Sequence, residues 1–242
     1  MELGPALSEQ QRAWKSRPLV RRQYAEWYRL IVGSLADIRL PTVELGSGIG
    51  IFKQYKPDAV TTDVEPTPWA DLVVDAEALP YGDGELGNLV LLDVFHHLAD
   101  PARFLDEARR VLAPGGRVVI VDPYCSPVSG PVYRRFHHER TDLTAPSFER
   151  DERTGAAPLE SNQARTTLVF YRDRVQYLQR WPELQIVNER RFSFLLYPLS
   201  GGFTRPPLLP QALYRPLHLV ERALQPLARL LAFRCLVVLE RR

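Results

Sequence analysis

Residues 42–50 constrain this chain more than any other stretch, because they join the end of an apolar strand to three glycines at alternate positions. Gly46, Gly48 and Gly50, with Ser47 between the first two, allow a sharp backbone turn. A Cβ atom at these positions would block both the positive φ angles and the close approach of a ligand. The pattern therefore predicts a buried first strand that ends in a ligand-binding turn.

The spacing of these glycines argues against a dinucleotide as the ligand. A dinucleotide-binding turn places its third glycine three residues after the second, and Ile51 occupies that position here. Glu44, two residues before the first glycine, adds a carboxylate that would repel a pyrophosphate. The same carboxylate suits a ligand with a positive charge or an ammonium group, and S-adenosylmethionine has both.

Residues 44–50, Glu-Leu-Gly-Ser-Gly-Ile-Gly, resemble the first motif of class I S-adenosylmethionine-dependent methyltransferases. In residues 93–116, the order Asp-Val-Phe-His-His-Leu, Asp-Pro and Arg-Val-Leu-Ala-Pro-Gly-Gly is similar to the small-molecule, methyltransferase type 11-like branch of that superfamily. The resemblance covers residues 42–122. It implies S-adenosyl-L-methionine as the methyl donor and a small-molecule or lipophilic metabolite as the acceptor.

Further cofactor contacts are expected at the ends of the next strands. Asp63 follows a predicted strand near the position where nucleotide-binding α/β units place their acceptor for the ribose hydroxyls. At Asp75 and Ala76, a carboxylate and a neighbouring backbone N–H could recognise one edge of adenine, and this tract resembles the adenine-contacting segment of the family. The expected cofactor-binding residues are Glu44, Gly46, Ser47, Gly48, Gly50, Asp63, Val64, Asp75, Ala76 and Asp93.

The alternation of strand and helix patterns, together with the resemblance, predicts a doubly wound, Rossmann-like α/β fold. We expect seven strands, mostly parallel with an antiparallel last strand, plus an N-terminal helix and insertions. After the first strand, strands are predicted at about residues 58–62, 70–75, 88–93, 117–121, 184–196 and 233–240. Helices are predicted at about residues 19–37, 49–55, from 101 to the Gly115-Gly116 pair, up to 181, and at 217–231 with a break at Pro226.

One methyltransferase domain is expected over residues 1–242. It divides into an N-terminal helical extension (1–40), a cofactor-binding half (42–122), a substrate-covering insertion (124–168) and a C-terminal half (170–242) with a helical insertion (203–232). The first insertion could bring Tyr133, Phe136 and His137 towards an acceptor, or it could be a solvated loop, since acidic and basic residues alternate in it. The apolar face of the 217–231 helix could line the acceptor pocket, rest on a membrane surface or complete the core.

No catalytic residue is assigned with the cofactor residues. Methyl transfer needs alignment of the acceptor above all, and a base is required only if the acceptor carries a proton that must leave. His96 is the one candidate, because the carboxyl end of its strand faces the cleft in open α/β sheets. In the resembling family, however, paired histidines such as His96 and His97 are largely architectural.

Composition excludes several other classes. The net charge is +2 and basic residues are spread along the chain, so no nucleic-acid surface is indicated. Cys125 and Cys235 offer neither a disulfide framework nor metal spacing, so buried thiols and no metal site are expected. Without an apolar run of about 18 residues, the expectation is a cytoplasmic protein. A catalytically silent methyltransferase-like binding module and, less favoured, a nucleotide-dependent oxidoreductase stay open as alternatives.

Overall fold

One sheet of seven strands organises the computed structural model, which describes residues 4–154, 160–203 and 205–242. The strands are β1 Thr42–Leu45, β2 Val60–Asp63, β3 Leu72–Val73, β4 Leu86–Leu92, β5 Leu112–Pro123, β6 Leu184–Phe192 and β7 Arg234–Arg241. Their order is β3-β2-β1-β4-β5-β7-β6. Strands β1 to β5 pair in parallel, whereas β7 is antiparallel to β5 and β6. The predicted doubly wound, Rossmann-like fold with an antiparallel last strand is confirmed.

The helices precede the sheet or connect its strands. They are α1 Pro5–Ser16, α2 Pro18–Val32, α3 Pro101–Val111, α4 Ser129–Phe136, α5 Arg165–Thr167, α6 Arg174–Arg180, α7 Leu196–Ser200, α8 Tyr214–Ala223 and α9 Ala228–Leu231. A π-helical segment, Leu168–Arg172, joins α5 to α6. Residues 155–159 of the predicted first insertion and residue 204 of the predicted helical insertion lie outside the described residues.

Strand β4 shows why helices cover both faces of the sheet. All seven of its residues are buried. Leu89 and Leu91 pack into the cluster that contains α3, whereas Val90 and Leu92 pack into the cluster that contains α2. Successive side chains of a strand point to opposite faces, so a continuous apolar run requires a helical layer on each side. Asp100 begins α3 by accepting the N–H of Arg103 at 3.0 Å, and Pro101 takes the first helical position, as the sequence predicted.

Several element boundaries differ from the predictions for local reasons. The predicted helix at 49–55 is reduced to one 3₁₀ turn, Phe52–Gln54, because Gly50 adopts a left-handed φ of 69° and Pro57 follows closely. The helix predicted at 19–37 ends at Val32. Helix α1 lies within the predicted N-terminal helical extension, although no separate helix was predicted for its residues. Helix α3 ends at Val111, before the predicted Gly115-Gly116 stop, and β5 already begins at Leu112.

The C-terminal half also departs from prediction at two places. Strand β6 ends at Phe192 and not near residue 196, because Leu196–Ser200 form α7. Gly201, at φ 76°, therefore ends a helix and not a strand. The predicted break at Pro226 is confirmed, since α8 ends at Ala223 and a 3₁₀ turn, Gln225–Leu227, precedes α9.

In its described parts, the segment predicted as a substrate-covering insertion is folded against the ends of β5 and β7. The buried Tyr133 of α4 donates its hydroxyl hydrogen to the carbonyl of Phe233 at 2.6 Å. Arg165 is fully buried, and its guanidinium lies 3.6 Å from the carboxylate of Asp151. These contacts do not fit the alternative prediction of a solvated loop.

Candidate functional site

The predicted cofactor residues meet at one edge of the sheet. Glu44 lies in β1, Asp63 is the last residue of β2, Asp75 follows β3 by two positions, and Asp93 follows β4 directly. Because these strands are parallel, their carboxyl ends share an edge, which is where open α/β sheets bind ligands. The edge therefore carries four carboxylates around the glycine turn.

Different neighbouring atoms lie next to the three glycines of the turn. Their φ angles are 67°, 52° and 69° at Gly46, Gly48 and Gly50, all in the left-handed region. A Cβ atom at Gly46 would lie 2.4 Å from the Val94 side chain, and one at Gly50 would lie 2.5 Å from Trp69. At Gly48 the nearest atom is the side-chain oxygen of Gln10 in α1, at 3.2 Å. Two glycines thus serve protein packing, and Gly48 is the one that faces the N-terminal helix.

Glu44 is the most unusual member of the edge. Its side chain is 2% exposed, and its Oε2 atom has no hydrogen-bond partner among the described residues. Burial, and secondly the nearby Asp63, raise the pKa of Glu44 well above its ordinary value. The hydroxyl of Ser47 is also buried without a described partner. Buried polar groups of this kind are costly unless a charged or hydrogen-bonding ligand satisfies them, so this end of β1 fits a ligand with a cationic, N–H-bearing group.

Asp63 ties the end of β2 to the glycine turn. Its Oδ2 atom accepts the N–H of Gly48 at 2.9 Å, and Ser47 donates its N–H to the carbonyl of Thr62 at 2.8 Å. In a phosphate-binding turn such N–H groups face the anion. Here a protein carboxylate holds one of them, so the turn is unsuited to a pyrophosphate.

The residues expected near the base are open to solvent. Val64 is 68% exposed, Asp75 is exposed and Ala76 is half-buried. Asp75 accepts the N–H of Glu77 at 2.8 Å through one carboxylate oxygen, which fixes the turn after β3. These positions present an apolar side chain and a carboxylate at the rim of the same edge.

Asp93 links three elements and has protein partners on both oxygens. The hydroxyl of Tyr24 in α2 donates to its Oδ2 at 2.7 Å, and Arg234 at the start of β7 forms an ion pair with its Oδ1. Asp93 also adopts a left-handed φ of 59°, a conformation that is strained for a residue other than glycine. If Asp93 contacts the cofactor directly, as predicted, it does so while it also binds Tyr24 and Arg234.

The surroundings of His96 do not suit a free catalytic base. It is 3% exposed, its Nδ1 lies 2.9 Å from Asp122 and its Nε2 lies 3.5 Å from Glu139. Burial lowers the pKa of His96, but Asp122 and then Glu139 outweigh that effect and raise it to about 10. Burial, and secondly His96, lower the pKa of His97 to about 4. His96 thus enters a buried network of carboxylates.

Sequence reasoning missed several residues of this region, although some left signals. Arg234 interrupts the apolar run of the last strand and is 2% exposed. The first histidine pair, His96-His97, follows β4. Glu139 comes directly after the second histidine pair, His137-His138. Asp122, at 0% exposure, lies in β5 directly after the predicted strand 117–121. A charged residue within or directly after a predicted buried strand is the signal that could have found Arg234 and Asp122.

Comparisons with known proteins agree with the geometry. Residues 43–120 match the model of a family described as "Methyltransferase domain". A demethylmenaquinone methyltransferase of Thermus thermophilus is 42% identical over 65 residues, 26% of this chain and 30% of the relative. A glycine/sarcosine/dimethylglycine N-methyltransferase of Actinopolyspora halophila is 36% identical over 83 residues, 32% of this chain and 14% of the relative. The chain thus spans less than a third of the length of either relative.

A solved structure extends the similarity over nearly the whole chain. The crystal structure of a SAM-dependent methyltransferase from Archaeoglobus fulgidus superposes with a TM-score of 0.55 at 12% identity, covering 91% of this chain and 94% of that one. At this identity the likeness establishes the fold.

Proposed function

Because this chain carries a domain of the methyltransferase family, we propose that it transfers the methyl group of S-adenosyl-L-methionine to a small-molecule or lipophilic acceptor. The observation that carries the proposal is the buried, unpartnered carboxylate of Glu44 beside the glycine turn. A cationic amino group is the ligand chemistry that would satisfy it. The acidic edge and the tie between Asp63 and Gly48 count against a nucleotide-dependent oxidoreductase.

The residues present fit the cofactor, and each would contribute one kind of contact. Glu44 would hold the amino group, with Ser47 and the turn at Gly46, Gly48 and Gly50 around it. Asp63 would accept hydrogen bonds from the ribose hydroxyls, since an ionised carboxylate has more acceptor positions than Gly48 uses. Val64, Asp75 and Ala76 would contact the base, and Asp93 would fix the wall of the site through Tyr24 and Arg234.

When bound, S-adenosylmethionine supplies an electrophilic methyl group on its sulfonium. The chain's own task is to bind the acceptor, align its nucleophilic atom and exclude water. Orientation of this kind can contribute on the order of 7 to 11 kcal/mol in ideal cases. No residue of the site needs to act as a base unless the acceptor must lose a proton.

Aromatic side chains near Asp93 support an apolar acceptor. The Tyr24 ring lies 5.0 Å from Phe203 and 4.6 Å from Trp27, and Trp27 lies 5.1 Å from Tyr197. Aromatic walls with a few polar groups are typical of small-molecule sites. These rings come from α2 and from the region around α7, and we propose that they form one wall of the acceptor pocket.

The helical insertion supports the lipophilic side of the proposal. Leu224 and Leu231 pack on the core, which supports the alternative in which this insertion helps to complete it. Leu208, Leu219 and Leu230 are exposed by 76%, 64% and 52%. Exposed leucines with Arg222 and Arg229 nearby in the chain suit peripheral contact with anionic lipid. No helix among the described residues is long and apolar enough to cross a membrane, and a cytoplasmic location is part of the proposal.

Transfer of a labelled methyl group tests this function. The purified protein is incubated with S-adenosylmethionine labelled in the methyl group and with an organic extract of the cells that make the protein. We expect the label to move into low-molecular-mass, organic-soluble material. Asp63→Ala should lower this transfer at subsaturating cofactor, whereas the matched variant Asp58→Ala, at an exposed carboxylate paired with Lys56, should not.

Two results would contradict the proposal. If the protein binds the cofactor but no labelled methyl group appears in any fraction of the extract, the catalytically silent module is favoured. Extract-dependent oxidation of NADH by the purified protein would favour the oxidoreductase.

A further inference from the structure

Four of the chain's five histidines surround one buried glutamate. The Nε2 atoms of His96 and His97, just after β4, each lie 3.5 Å from a carboxylate oxygen of Glu139. His137 Nδ1 and His138 Nε2 lie 3.5 Å and 3.8 Å from the same carboxylate. Two histidine pairs some forty positions apart in the sequence thus converge on Glu139.

Among the described residues, no arginine or lysine pairs with the two carboxylates of this cluster. Glu139 is 8% exposed and Asp122, behind His96, is fully buried. The ion-pair partners of both carboxylates among the described residues are histidines, although the chain is rich in arginine. Buried charges are normally paired or coordinate metals.

The distances fit donor atoms around one ion. His96, His97 and Glu139 each offer a ligand atom, and these atoms all lie within 4.8 Å of one another. Ligands at about 2.0–2.1 Å from a tetrahedral zinc ion lie about 3.3 Å apart. The observed separations are 3.5 Å from His96 Nε2 to one oxygen of Glu139 and 3.5 Å from His97 Nε2 to the other, which is close to that value.

A second and independent observation is the orientation of His96. Its Nδ1 lies 2.9 Å from Asp122 Oδ1, and the hydroxyl of Thr166 donates to the other oxygen of Asp122. Histidines that bind metals commonly donate their remaining ring N–H to a carboxylate, which fixes the tautomer and the ring orientation. In this arrangement His96 Nε2 lies 3.5 Å from Glu139 and within 4.8 Å of the ligand atom that His97 offers.

We propose that His96 Nε2, His97 Nε2 and the Glu139 carboxylate bind a divalent transition-metal ion of the zinc type. Two imidazoles and one carboxylate suit zinc, iron(II) or cobalt(II) better than magnesium or calcium, which prefer oxygen ligands. Three protein ligands leave a coordination position for water or another oxygen ligand. His137 and His138 stand at the rim, where His137 Nδ1 accepts the N–H of Glu139 at 3.3 Å.

The site replaces the expectation from sequence that the chain has no metal site. It lies at the end of β4 next to Asp93, but it uses none of the residues proposed to hold the cofactor. The ion can reach it from solvent, since the side chain of His97 is 33% exposed and that of His138 is 44% exposed. The inference does not depend on methyl transfer, and metal binding can be measured without an acceptor.

Direct metal titration tests the inference. The full chain, carrying no histidine tag, is stripped with a chelator, dialysed and titrated with Zn²⁺ by calorimetry and with Co²⁺ by visible absorption. We expect one ion per chain and ligand-field bands typical of nitrogen and oxygen ligands. His97→Ala, at a half-exposed position, should weaken Zn²⁺ binding at least 100-fold. His218→Ala, which removes the remaining histidine, serves as the matched control and should leave binding unchanged.

Asp122→Asn separates the positioning role of Asp122 from a general effect on folding. It should weaken Zn²⁺ binding by about 10- to 100-fold and leave the far-ultraviolet circular dichroism spectrum unchanged. Less than one tenth of an equivalent of Zn²⁺ and no Co²⁺ bands in the wild-type protein would overturn the inference, and the cluster would then be a hydrogen-bonded network of histidines and carboxylates. Equal affinity in wild type and in folded His97→Ala would overturn it as well.

Discussion

At the scale of single residues, the site depends on carboxylates that are held in unequal surroundings. Glu44 is buried without a partner for one of its oxygens, whereas Asp63 accepts a backbone N–H and Asp93 has partners on both oxygens. Burial raises the pKa of Glu44 because it disfavours the charged form. A cationic ligand has the opposite effect, since it favours the ionised carboxylate. Ligand binding and the ionisation of Glu44 should therefore be coupled.

This coupling predicts how stability depends on pH. A raised pKa in the folded state means that stability is fully present below the ordinary value near 4.5 and is lost as the pH rises through the folded value. Glu44→Gln, which keeps the shape without the charge, should abolish this loss between pH 5 and the folded pKa. The free energy of unfolding in urea, measured at several pH values without ligand, checks this, with the exposed Glu65→Gln as the matched control. A wild-type pH slope that Glu44→Gln leaves intact would refute the coupling.

At the scale of elements, Asp93 holds helix α2 and strand β7 against the end of β4. Tyr24 and Arg234 reach it from positions that lie 69 and 141 residues away in the sequence. Arg234 also stacks over Trp27 at 4.4 Å and Tyr197 at 4.8 Å. Helix α2 is thus a structural part of the wall of the proposed site.

Removing one hydroxyl tests this role of α2. Tyr24→Phe deletes the hydrogen bond to the Asp93 carboxylate, and bonds to charged groups contribute about 1.5–3 kcal/mol. We expect a loss near the lower end of that range, because Arg234 still pairs with Asp93. The free energy of unfolding in urea gives the measurement. Tyr28→Phe is the matched control, since Tyr28 is equally buried in α2 but its hydroxyl makes none of the side-chain hydrogen bonds described. Equal losses in both variants would argue against a special role of Tyr24.

At the scale of the whole molecule, local patterns explain which parts were predictable. The buried run of β4, the Asp100-Pro101 start of α3 and the glycine turn are specified by neighbouring residues. The doubly wound fold, and the gathering of the predicted cofactor residues at one edge of the sheet, therefore followed from the sequence. The prediction of a helix at 49–55 was wrong, because Gly50 and Pro57 limit this segment to a single 3₁₀ turn. The Asp93 contacts and the histidines around Glu139 depend on tertiary packing between distant segments, which periodicity and spacing do not encode.

We propose above all that the acidic edge around the glycine turn binds S-adenosylmethionine and its product. Calorimetric titration with S-adenosylhomocysteine tests this most directly, because it needs no acceptor. We predict one site per chain in the wild type and no comparable binding of NADH.

Asp63→Ala should weaken binding by about 1.5–3 kcal/mol, roughly 10- to 150-fold, through loss of a charged acceptor. Asp63→Asn, which keeps an acceptor for the Gly48 N–H, should still lose part of the affinity, and Asp58→Ala should lose none. Unchanged affinity in folded Asp63→Ala, or tighter binding of NADH than of S-adenosylhomocysteine, would contradict the claim.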